Sequence, residues 1–165
     1  MDTTTLAQLL EEDGVTCKPD GLIVKIHSSW VVIGEDRLSY TTLVRLIECC
    51  REHHWSLDIL STHDLGKLTL DSITRSIAGE FISPIPIGSL ISITYKITEV
   101  REKGYALHFE VRDVTDQTVR AWFDIVSIFY DPTTNEPITP PPAILQNLKS
   151  MCNRSSPRSE TVQIE

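Results

Sequence analysis

The chain has 165 residues, 41% of them hydrophobic and 23% charged, and a formal net charge of −8. That length suits one domain, and a chain of this size buries roughly 70% of its unfolded surface, enough for a core without metals or disulfides. The acidic balance, with no stretch that concentrates Lys and Arg, argues against nucleic-acid binding, and no run approaches the roughly 18 apolar residues of a membrane span.

Residues 2–12 carry Leu6, Leu9 and Leu10 on one side of a short predicted helix that ends in Glu11, Glu12 and Asp13. Acids at that end oppose the helix dipole, so residues 1–21 are read as an N-terminal extension closed by the Pro19-Asp20-Gly21 turn. From Leu22 to Ile33, one parity holds Leu22, Val24, Ile26, Trp30 and Val32, the alternation of a strand. A long helix is expected from Ser39 or Tyr40 to about Trp55. Leu43, Leu46, Ile47 and Cys50 recur there at helical spacing without a Gly or Pro, and Ser39 is placed to cap it. Apolar residues cover more than a narrow stripe, which requires burial on several sides.

The rest reads as strands. Residues 67–82 form the first, and Pro84, Pro86 and Gly88 mark a turn. Residues 89–101, 105–114 and 118–130 alternate cleanly and are separated by short turns, the pattern of an antiparallel meander with one buried face. The proline-rich stretch from Pro132 to Pro142 leaves the sheet, a short helix follows over about 143–151, and residues 152–165, rich in Ser and Arg, read as a disordered tail. The cysteines, Cys17, Cys49, Cys50 and Cys152, form no CxxC pair, so no metal site is expected and reduced thiols are. The start of the chain lacks signal-peptide and transit-peptide character, and the expected location is cytoplasmic.

One strand, a long buried helix, then four strands in meander order is the α+β arrangement of the hot-dog fold, a helix wrapped by a curved antiparallel sheet, here over residues 22–151. Residues 38–51, L-S-Y-T-T-L-V-R-L-I-E-C-C-R, resemble the helix of the 4-hydroxybenzoyl-CoA thioesterase-like family, with Leu38, Leu43, Val44, Arg45, Glu48 and Arg51 at matching or similar positions. P-I-P-I-G at 84–88 and N-E-P-I-T-P-P-P-A-I-L at 135–145 resemble two further segments of that family. The chain departs from it before the helix, where many members carry an Asp and a His. Here Arg37 stands at the His position and Glu35 and Asp36 are shifted.

The resemblance implies hydrolysis of an acyl-CoA or acyl-carrier-protein thioester, with the coenzyme A thioester as substrate and no separate cofactor. Such chemistry needs a carboxylate that attacks or activates water, and N–H donors for the developing oxyanion. Glu48 matches the family's helix carboxylate and Asp36 is the second candidate. Ser39, Tyr40, Thr41 and Thr42 at the helix N-terminus are the oxyanion and substrate-binding candidates. A plain ion pair of Glu48 with Arg45 or Arg51 competes with the catalytic role, and helix capping competes for Ser39. Arg75, Lys96 and Arg101 are candidate contacts for coenzyme A phosphates, and His53, His54, His63, His27 and His108 lie outside any recognisable motif. The resemblance further implies a homodimer or homotetramer with a shared site. A non-catalytic acyl-binding hot-dog protein and an enoyl-thioester hydratase or dehydratase are the competing functions.

Overall fold

The protein was described from a computed structural model, which covers residues 15–18, 21–26, 36–60 and 69–155. The helix expected at 2–12, the strand residues after Ile26, His27 and His63 lie outside the described residues.

Strands β1 (Val15–Lys18), β2 (Gly21–Lys25), β3 (Asp71–Phe81), β4 (Leu90–Arg101), β5 (Gly104–Asp113), β6 (Val119–Asp131) and β7 (Glu136–Pro137) form one antiparallel sheet. Helix α1 (Tyr40–His54) continues into a π-helical turn (Trp55–Ile59), and α2 (Pro142–Ser155) closes the described chain. The strand order is β1-β2-β4-β5-β6-β3, with β7 added to β6. Alternation dictated this sheet. Leu22 and Val24 on β2, Ile26 just after it, Ile91 and Ile93 on β4, Leu107, Phe109 and Val111 on β5, and Phe123, Ile125 and Phe129 on β6 are all buried. Against them lie Leu43, Leu46, Ile47 and Cys50 of α1.

The hot-dog architecture is therefore present, with one correction to its expected order. β4, β5 and β6 form the meander, but β3 pairs with β6 at the far edge and not with β4. Pro84 and Pro86 explain why β3 makes no hairpin with β4, because proline lacks the N–H a ladder needs. The segment instead pairs with the residues just before α1, where Leu38 N–H donates to the Ile85 carbonyl and Ile87 N–H to the Asp36 carbonyl, each at 2.8 Å.

A second correction concerns the C-terminus. α2 runs to Ser155, into the stretch read as tail, because Ile144 and Leu148 are fully buried and the stripe continues through the half-buried Met151 and Cys152. His54, at the end of α1, is fully buried, its ring centre 4.5 Å from that of Tyr95.

Candidate active site

α1 lies along β3, and three contacts fix its register. The Tyr40 ring centre stands 4.2 Å from that of Phe81, Thr74 Oγ1 donates to Glu48 Oε1 at 2.8 Å, and Arg51 Nη1 donates to the Ser72 carbonyl at 3.0 Å. Tyr40, Val44 and Glu48 recur four apart, so they share one helix stripe, and that stripe faces the edge strand.

The strand's contribution follows from its pairing. Ser72 opposes Phe129 and Thr74 opposes Ser127, both of which are buried on the helix side of the sheet. The register then slips by one residue at Arg75, a β-bulge, and resumes with Ile77 opposite Ile125, Gly79 opposite Phe123 and Phe81 opposite Ala121. Directly opposed residues lie on one face, so the bulge keeps Ile77, Gly79 and Phe81 on the helix side as well. There they are exposed, Ile77 at 41% and Phe81 at 37%, with Tyr40 at 48%. The result is a shallow apolar trough, a strip of exposed Tyr40, Ile77 and Phe81 beside α1 on the outer strand, next to the buried Phe123 and Ile125 of β6. Gly79 belongs to its construction, since a Cβ there would lie 2.4 Å from the Phe123 ring and 2.5 Å from the Trp122 carbonyl oxygen.

Glu48 sits at the inner end of the trough with 30% of its side chain exposed. Its two oxygens have different partners, Thr74 on one and Arg51 Nε, at 3.0 Å, on the other. Of the two arginines the sequence offered, Arg51 takes the ion pair and Arg45 is exposed. Arg51 is itself only 4% exposed and has Glu52 at 3.8 Å. Burial alone would lower the guanidinium pKa, but Glu48, Tyr105 and Glu52 outweigh it and hold the value above its ordinary one. Behind this pair, the Ser72 and Tyr105 hydroxyls share a hydrogen bond of 3.2 Å, and burial pushes the Tyr105 phenol up.

At the other end, the helix starts its ladder with Leu43 N–H to the Ser39 carbonyl at 3.0 Å, so the amides of Tyr40, Thr41 and Thr42 precede its first bond. Ser39 occupies the N-cap position, yet its hydroxyl makes no capping bond, contrary to the capping role considered for it. No acid lies in the first turn to offset the positive end of the dipole. Arg37 reaches over Tyr40, its guanidinium 5.6 Å from the ring centre. Asp36 is exposed and is tied in through its backbone carbonyl.

The remaining candidates separate. Arg75 and Arg101 meet at a cavity of about 210 Å³ on the outer face of the sheet, joined by Lys103 and lined with Val126, Ile128 and Pro137. Lys96 belongs to a different recess, with His108 and Glu110. His108 pairs through Nδ1 with Asp124 Oδ1 at 2.7 Å, a cross-strand partner that no sequence neighbourhood could reveal. Cys49 is a free thiol, pushed up by burial and by Glu52, which makes it a poor nucleophile. Among the described residues, no group of His, Cys, Asp and Glu is placed to hold a metal ion, and no helix is long and apolar enough to cross a membrane.

An antiparallel sheet with a helix packed against it in this order is the hot-dog architecture. The chain belongs to the Thioesterase-like superfamily, whose family model matches residues 36–148. Its fold is shared with a Staphylococcus aureus protein solved in complex with CoA, at 12% identity and a TM-score of 0.69, covering 87% of this chain and 92% of that one. It is shared also with the 1,4-dihydroxy-2-naphthoyl-CoA thioesterase of Synechocystis, at 11% identity and 0.62 over 81% and 95% of the two chains. The Dynemicin thioesterase is similar at 13% identity and 0.64, over 78% and 94%. No curated protein sequence matches the chain.

Proposed function

We propose that the protein hydrolyses acyl-CoA thioesters, with Glu48 as the carboxylate that activates water and a helix N-terminus as oxyanion site. One observation carries this reading: a partly exposed carboxylate, held at both oxygens, at the end of an apolar trough. Each carboxylate oxygen keeps a second lone pair, so a water can still be bound and deprotonated. Asp36, exposed and with no side-chain hydrogen bond among the described residues, is the weaker choice. The amides of Tyr40 and Thr41 supply the donors, while the trough along Tyr40, Ile77 and Phe81 takes the acyl group.

Glu48 and the start of its own helix cannot serve one carbonyl. Glu48 lies eight residues beyond Tyr40, about 12 Å along the axis, and a base and an oxyanion donor must each lie near 3 Å from their atoms. The proposed unit is therefore a homodimer in which Glu48 of one copy meets the helix N-terminus of the other. The β3 edge supports that pairing: Ser76–Phe81 follows the bulge, has no strand partner on its outer side among the described residues, and exposes Ile77 and Phe81.

Coenzyme A is preferred over a carrier protein because Arg75, Arg101 and Lys103 gather at one cavity in a chain of net charge −8. Arg101 is paired with Glu99 at 2.7 Å, whereas neither Arg75 nor Lys103 has an acidic partner among the described residues. Thr74 and Arg75 are consecutive, one on the helix side and one at the outer cavity, so the nucleotide end would pass over the strand edge at the bulge.

The test is release of free thiol from a panel of acyl-CoAs, abolished by Glu48→Gln and retained, with raised KM, by Arg75→Gln/Lys103→Gln. No release from any thioester refutes the reading. Mixing Glu48→Gln with Tyr40→Pro, which removes one N–H at a tolerated first-turn position, should restore activity through mixed dimers. The ion pair of Glu48 favours a second reading, acyl binding without catalysis, for which tight acyl-CoA binding without thiol release is the signature. The hydratase reading loses ground, since His54 is sealed behind Tyr95 and His108 lies on the outer face.

A further inference from the structure

We propose that Thr74 is a positioning residue that sets the orientation of the Glu48 carboxylate, working with an Arg51 that the Ser72 carbonyl has already immobilised. The inference rests on the hydrolase reading of Glu48 for its catalytic consequence, and on geometry alone for the hold itself.

An ion pair three residues apart on a helix does not fix a glutamate by itself, because two long side chains share many rotamers and solvent screens their attraction. Here the pair is anchored at both members. Arg51 is 4% exposed and gives Nη1 to the Ser72 carbonyl at 3.0 Å, which leaves its Nε aimed at Glu48 Oε2, also at 3.0 Å. Thr74 Oγ1, 2.8 Å from Oε1, closes on the other oxygen from a different element. One bond per oxygen, from helix and from strand, fixes the position of the carboxylate and the plane in which its remaining lone pairs lie. Threonine suits the task because its branched Cβ leaves χ1 few choices.

The bulge explains why Thr74 is the residue. Ser72 and Thr74 are the last helix-facing pair before the register slips at Arg75, and the next helix-facing side chain, Ile77, is apolar. The slip ends the polar part of the trough wall at the carboxylate and begins the apolar part beyond it. Ser72 is doubly committed, with its carbonyl on Arg51 and its hydroxyl on Tyr105 at 3.2 Å, so the hold is continuous with the core.

Thr74→Val keeps the shape and removes the donor, and Thr74→Ser keeps the donor. The valine variant should lose kcat roughly 10- to 100-fold, the scale of a slightly misplaced catalytic group, with KM within about twofold, and serine should recover most of the loss. In protein carrying 13C-labelled glutamate, the Glu48 side-chain carbon signals should move or broaden in the valine variant and stay in place in the serine variant. Unchanged kcat in the valine variant, or a loss that serine does not recover, overturns the positioning role. Unmoved Glu48 signals overturn the hold even in a protein that turns over no thioester. Absence of wild-type turnover refutes the hydrolase reading instead.

Discussion

Glu48 is the obvious residue to replace, and its surroundings determine which replacement is informative. Truncation to alanine removes the one carboxylate that, among the described residues, hydrogen-bonds a nearly buried guanidinium, with Glu52 standing off at 3.8 Å. Breaking a fully buried pair costs about 3–5 kcal/mol. With 30% of the Glu48 side chain exposed the cost is reduced to roughly 2–3 kcal/mol. For a chain of this length, each kcal/mol moves Tm by about 2–4 °C, so Glu48→Ala should melt roughly 4–12 °C below wild type. Glu48→Gln keeps an oxygen for Arg51 Nε and places an amide against Thr74, losing the charge but not the bonds. Its cost should be about 1 kcal/mol, with a Tm within roughly 4 °C of wild type. Thermal unfolding of the three proteins by circular dichroism, set beside thiol release, separates fold from chemistry. Glutamine should be folded and at least about 100-fold slower. An alanine variant melting within 2 °C of wild type would show that Arg51 does not depend on Glu48, and the ion-pair reasoning would fail.

Tyr105 makes stability sensitive to alkali. Its phenol is raised by burial, so above roughly pH 10 the unfolded chain gives up a proton that the native chain keeps, and stability falls as pH rises. Urea melts at pH 8 and pH 10.5 should show that loss in wild type, and a smaller one in Tyr105→Phe, which at pH 8 starts about 1 kcal/mol lower for want of the Ser72 bond. Gly79→Ala should lose about 1–3 kcal/mol from overpacking, because the Trp122 carbonyl cannot yield as a flexible side chain would, and a Tm equal to wild type would refute the close approach. Ile77→Lys, on the exposed stretch after the bulge, should sediment as a monomer with its fold retained; an unchanged dimer would place the interface elsewhere.

The fold was legible wherever hydrophobic periodicity was strong. Leu43, Leu46, Ile47 and Cys50 marked α1, and the alternation of β4, β5 and β6 marked the meander and its buried face. The place of β3 was not legible, since periodicity says which face of a strand is buried and nothing about its neighbour. Pro84 and Pro86 were visible as a break, but only the pairing of residues 85 and 87 with the residues just before α1 shows what the break achieves. The candidate site was half legible in the same way. Glu48 and Arg51 three apart on a helix are a local relation, and the sequence displays it. Thr74, Ser72 and Tyr105 reach that pair through contacts spanning 21 to 33 residues, which no spacing rule encodes.

Those long-range contacts converge on β3, and its position at the sheet edge explains why. A strand inside the sheet has both backbone edges paired and both faces covered. Among the described residues, β3 has one edge open and its helix-side face only partly covered, so it can hold a carboxylate with Thr74 while leaving Ile77 and Phe81 exposed beside it. The bulge at Arg75 divides the two tasks. Before it, Ser72 and Thr74 are tied to Arg51 and Glu48; after it, the strand presents an apolar face and an unpaired edge to whatever completes the trough. If a second copy supplies that completion, the 12 Å between Glu48 and the start of its own helix becomes the distance that one subunit must span to bring its carboxylate to the other's helix end.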